Sequence, residues 1–184
     1  WVPAAKLIHV QESKFQGHPA TQPAPQEQSK EPKEFAPPAV WFPSRLAKRI
    51  AGLAVAPESW GAFAGQLLVA DGEGGLLRVQ LEQVNGEWQG TAWPLLDVAA
   101  EVRRRAASTS PSAPNPPPHL GGYARLAFAA DGQLWLGGAA GLSRIRPVGP
   151  IPFAVKSVKA LADGYELTFT QPVNPASATK PASY

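Results

Sequence analysis

The chain has 184 residues, 44% hydrophobic and 17% charged, which supplies a core for one ordinary domain or two small ones and argues against disorder throughout. A net charge of +3 and a pI near 9.3 do not make a nucleic-acid footprint. The basic residues gather only at Arg45, Lys48 and Arg49 and at Arg103-Arg104-Arg105, with no aromatic platform between them. Cysteine is absent, which excludes disulfides, a cysteine zinc site and a Cys-x-x-Cys-His haem attachment. No apolar run nears the roughly 20 residues of a membrane span. The 21 prolines and 17 glycines favour strands, turns and loops over long helices. With Trp1 in place of Met and no leader pattern, the sequence reads as an internal segment of a longer protein.

In chain order, Ala5–Val10 is an apolar patch long enough for a short strand, and 19–38 is a Pro/Gln/Glu/Lys linker with little to bury. The body begins at Ala39-Val40-Trp41-Phe42-Pro43. Strands are expected at 52–56, 66–70, 76–83 and 87–96, bounded by Gly, Pro or Asp. Asp71-Gly72-Glu73-Gly74-Gly75 is a turn by composition, and Asn85-Gly86 is a strong hairpin signal. A helical pattern covers 97–106 and a Ser/Pro loop covers 108–118. Three further strands are expected at 123–128, 133–137 and 142–146. From Phe153, alternation at 153–158 and 165–170 around Asp163-Gly164 predicts a strand pair with one wet face.

The chain also repeats itself. Gly52-Leu53-Ala54-Val55-Ala56 returns as Arg125-Leu126-Ala127-Phe128-Ala129, and Gln66-Leu67-Leu68-Val69 as Gln133-Leu134-Trp135-Leu136. Gly75-Leu76-Leu77-Arg78-Val79 returns as Gly141-Leu142-Ser143-Arg144-Ile145. Setting aside 95–118, the period is about 49 residues, within the roughly 40–50 of a four-stranded propeller blade. Two unrelated meanders in an antiparallel sandwich are the alternative. The expected class is therefore all-β: a partial β-propeller of about two four-stranded blades over 39–148, with an insertion at about 95–118. Residues 1–38 form an upstream strand and linker, and 149–184 begin an Ig-like sandwich.

Pro38–Pro43, Phe63–Asp71, Leu77–Gly90 and Leu126–Gly138 together resemble the glucose/sorbosone dehydrogenase-like propellers, and most closely their large haem- or membrane-associated bacterial branch. Phe153 onward, through Glu166-Leu167-Thr168-Phe169-Thr170, is similar to the start of the Ig-like domain that follows those propellers, and Trp1–Pro19 to a segment just upstream. The resemblance implies a periplasmic or extracellular protein, with the remaining blades as partners of this segment. Quinone-dependent members hold pyrroloquinoline quinone and calcium and oxidise a sugar with a histidine base from an early blade, which this chain does not include. Their late-blade cofactor contacts, a lysine and two arginines, fall here at about Glu73, Gly122 and Ala124. The glutamate would repel an anionic quinone. Quinone and calcium are therefore expected, if anywhere, in the parent and not in this segment.

Other candidates are few. His9, His18 and His119 lack metal spacing. Asp71 with Glu73 is a carboxylate pair, though carboxylates in Gly-rich turns commonly cap backbone N–H groups. Trp88, Trp93 and Trp135 are expected to pack between sheets, and Arg78 and Arg144 to pair at a blade edge. Arg125 is the one basic residue near the expected cofactor face. Two functions follow. The parent oxidises a sugar or alcohol with a quinone or haem acceptor, this segment itself not being catalytic. Alternatively it is a non-catalytic propeller that binds carbohydrate or protein in the cell envelope.

Overall fold

The computed structural model describes residues 3–12, 14, 36–72, 75–97, 123–138, 141–147 and 149–180. Within them the chain is all-β, in four antiparallel sheets. Strands β1 (Pro3–Leu7) and β2 (Val40–Pro43) pair with each other. The first large sheet is a meander of β3 (Ile50–Val55), β4 (Leu67–Asp71), β5 (Gly75–Val84) and β6 (Glu87–Asp97). A second meander holds β7 (Tyr123–Phe128), β8 (Leu134–Gly138) and β9 (Gly141–Ile145). Strands β10 (Val155–Leu161) and β11 (Gly164–Phe169) form a hairpin, followed by the short helix α1 (Pro175–Ala178). Asn85 and Gly86, at φ 51° and 85°, turn β5 into β6 with two left-handed residues. That twist matches the flanking strands, and glycine accepts it without strain.

The sequence repeat is also a repeat of register. Val55 faces Leu67 as Phe128 faces Leu134, and Leu68 faces Arg78 as Trp135 faces Arg144. A bulge interrupts the first strand of each sheet at the same place, between Ile50 and Gly52 and between Tyr123 and Arg125. The first turn of each sheet is held alike: Ala56 N–H donates to Gln66 O and Ala129 N–H to Gln133 O, both at 2.9 Å. Gly65 and Gly132 precede those glutamines at the same φ of 77°.

The two sheets differ at both ends of this shared frame. Between Ala56 and Gln66 the first sheet inserts a 3-10 helix, Glu58–Phe63, that composition had not marked. The second sheet has three strands among the described residues where four were expected. After Ile145 the chain carries Pro147, Pro150 and Pro152, which have no N–H to extend a ladder. Of the expected helix at 97–106, Asp97 ends β6 and the rest lies outside the described residues, as does 108–118.

Side chains alternate across each pleat, so the register defines two faces. The front of the first sheet carries Leu68, Ala70 and Leu76, and it packs on Leu134 and Leu136, which lie on the back of the second. Ala56 and Trp60 complete this cluster. The back of the first sheet carries Val69, Leu77 and Val79, which bury against Val40, Phe42 and Ala47 of the β2 region. The sheets thus stack front on back, all facing one way. The front of the second sheet, with Ala127 and Leu142, has no such cover among the described residues, and Leu142 is 69% exposed.

Candidate functional site

The most concentrated polar chemistry lies on the front of the first sheet, beside the patch covered by the second. Positions 78, 80 and 82 of β5 share that face by alternation, and Gln66 joins them from the residue before β4. Arg78 is 3% exposed. Its guanidinium lies between the rings of Phe63 and Trp93, 4.7 and 4.4 Å from their centroids. Burial lowers its pKa from the ordinary arginine value. A cation so placed is stabilised by the ring quadrupoles and aimed by its hydrogen bonds.

Those bonds run to a strand. Arg78 Nη1 donates to Gln66 Oε1 at 3.2 Å, and Nη2 donates to the carbonyl of Val155 at 2.5 Å. Gln66 Nε2 donates to the carbonyl of Lys156 at 2.7 Å. Farther along, the N–H of Val158 donates to Gln80 Oε1 at 3.1 Å and that of Ala160 to Glu82 Oε1 at 3.0 Å. Thr91 and Gln89 on β6 brace those two acceptors. Four side chains therefore satisfy the edge of β10 that β11 leaves unpaired. In a regular strand successive carbonyls point to opposite edges. The register shift between Val155 and Ser157 turns two of them to one side, where the arginine–glutamine pair receives them. The arrangement is a clamp that holds the backbone of β10 in extended form.

Arg78 and Arg144 thus sit on sheet faces and not at an edge as expected, because the register places both on the front. Arg144 lies 5.7 Å from the centroid of the Trp135 ring. Trp93 is partly buried beneath Arg78, and Trp88 meets His9 edge-on at 6.1 Å. The tryptophan buried between the sheets is Trp60, whose Nε1 donates to the carbonyl of Gly132 at 2.9 Å. Trp60→Phe keeps the ring packing and removes that bond, which contributes about 1 kcal/mol. Chemical denaturation is expected to show a loss of that size with an unchanged m-value.

Asp71 caps backbone: its Oδ1 accepts from the N–H groups of Lys48 and Arg49 at 3.2 and 2.8 Å. Glu73, Gly122, His18 and His119 lie outside the described residues. Ala124 falls in the β7 bulge, and Arg125 is exposed on β7 opposite Gly137. Among the described residues no three His, Asp or Glu gather as a metal site. None of their helices is long and apolar enough to cross a membrane. A recess lined by Trp60, Phe63, Leu95, Ile145 and Ile151 has apolar walls.

Sequence reasoning missed Gln66, Gln80 and Glu82 as site residues. Two amides and one carboxylate scattered along the sheet carry no chemical signature in sequence. The available hint was the recurrence of Gln66 and Arg78 at matching repeat positions as Gln133 and Arg144. Comparison with protein-family models, with curated proteins and with solved structures finds no match to this chain.

Proposed function

We propose that this chain is a propeller-type segment that works as a non-catalytic protein-binding module. The observation that carries the reading is the front-on-back stacking of two sheets with matched register, which leaves one front without cover among the described residues. Such stacking is polar: the front of one unit fits the back of the next, as in radial repeats. The uncovered front carries Leu142, while Leu53 and Val55 on the back of β3 are 51% and 59% exposed. Both surfaces suit a further sheet of the same type. We take the β10–β11 hairpin as the start of an Ig-like sandwich. Its Tyr165 and Leu167 lie on one side with Val158 and Ala160, and Tyr165 is 75% exposed. Protein is favoured over carbohydrate as the ligand because the clamp contacts are to backbone carbonyl and N–H groups.

Sedimentation velocity over a concentration series tests the stacking face. The wild-type chain is expected to self-associate through its uncovered sheet surfaces. Leu142→Glu, at an exposed position, is expected to weaken that association without lowering the melting temperature. A monodisperse wild-type monomer across the series rejects the reading.

A further inference from the structure

The equivalence of the two sheets extends to the clamp. Gln133 occupies the register position of Gln66, and Arg144 that of Arg78. In the first sheet these residues hold β10. In the second, Gln133 Nε2 donates to Asp131, while Gln133 Oε1 is buried without a hydrogen-bond partner among the described residues. An orphaned buried acceptor is rare in folded proteins and marks a place where a donor is missing. In the first sheet the donor to that oxygen is the arginine. Arg144 has no hydrogen bond from its guanidinium among the described residues. It rests over Trp135, on the front of the second sheet.

We propose that Gln133 and Arg144 form a second strand clamp, and that its occupant is an extended peptide strand of a partner protein. When such a strand docks, Arg144 swings from Trp135 to bridge Gln133 Oε1 and a partner carbonyl, as Arg78 bridges Gln66 Oε1 and Val155 O. The strand must offer successive carbonyls on one edge, which a bulge like that at Val155–Ser157 provides. Recognition is through backbone, so affinity depends on extended form more than on side-chain identity. Trp135 gives the site its own reporter, since the guanidinium leaves its ring. This inference rests on the binding-module reading and names its ligand.

The probe is a synthetic peptide with the sequence of residues 153–161, titrated into the full chain. In the chain itself β10 already fills the first clamp, so the added peptide reads the second. Saturable one-to-one binding with a change in tryptophan emission is expected. Arg144→Ala is expected to weaken it at least tenfold, and Gln133→Leu to weaken it as well. Absence of saturable binding overturns the proposal. So does binding unchanged by Arg144→Ala, which means the peptide has displaced β10 or paired with β11. Leu53→Glu, which tests sheet stacking from the back of the first sheet and away from Arg144, is expected to leave peptide binding within twofold. The two readings therefore fail separately.

Discussion

Arg78→Ala is expected to lower stability by about 4 kcal/mol. Two hydrogen bonds from a charged donor contribute about 1.5–3 kcal/mol apiece, and stacking on two rings adds roughly 0.5–1 kcal/mol. Truncation leaves Gln66 Oε1 and the carbonyl of Val155 without their donor and opens a gap between Phe63 and Trp93. For a chain of this length about 1 kcal/mol shifts the melting temperature by roughly 2–4 °C, so a fall of about 8–16 °C is expected by calorimetry. Arg78→Lys is expected to recover only part of the loss, because one ammonium lacks the planar fork that reaches two acceptors. Limited proteolysis should show cleavage within 153–170 enhanced in Arg78→Ala. A loss under about 1 kcal/mol, or unaltered cleavage there, would mean that β10 is held by something else.

Gly90→Ala is expected to cost about 3 kcal/mol, at the upper end of the usual penalty for added bulk in a packed region. A Cβ at this position would lie 2.5 Å from the carbonyl oxygen of Gln80, 2.6 Å from Leu81 Cδ2 and 3.1 Å from Val40 Cγ2. The first of these is backbone within the β5–β6 ladder, so relief requires breaking pairs and not merely turning a rotamer. The glycine is what lets β2 approach β6 closely. Gly164→Ala is the control: nothing lies within 4 Å of its added Cβ, and little change is expected. Equal effects in the two variants, read by denaturant midpoints, would contradict the close-approach argument.

Much of the strand order was legible because the turns are written in glycine, asparagine and aspartate. Asn85-Gly86, Asp131-Gly132 and Asp163-Gly164 each stand where a hairpin turns. Internal repetition made the paired meanders visible, since matching blocks impose matching registers. Non-local choices were harder. The apolar patch that placed a strand at Ala5–Val10 did not name its partner, and β1 pairs with β2 across a gap from Leu7 to Val40. Val10, taken as part of that strand, is 78% exposed beyond its end. The 3-10 helix is built by Trp60 and Phe63 packing inward, a tertiary effect with no helical period in its six residues. The clamp was hidden for a similar reason: glutamines on a strand look neutral until another strand presents its edge.

The clamp also has a kinetic side. Within the two large sheets, neighbouring strands follow one another in the chain, and such hairpins close in about 1–10 μs. Seating β10 is another matter, for Arg78 and Val155 are 77 residues apart and Gln80 and Val158 are 78 apart. That step waits until the first sheet exists, because the side chains that receive the strand are aligned only by its register. Late arrival implies early departure, since segments joined by few contacts open at lower free energy than the core. When β10 lifts, the outer front of the first sheet exposes Gln66, Arg78, Gln80 and Glu82 together. Any strand that were to replace β10 there could do so no faster than β10 opens.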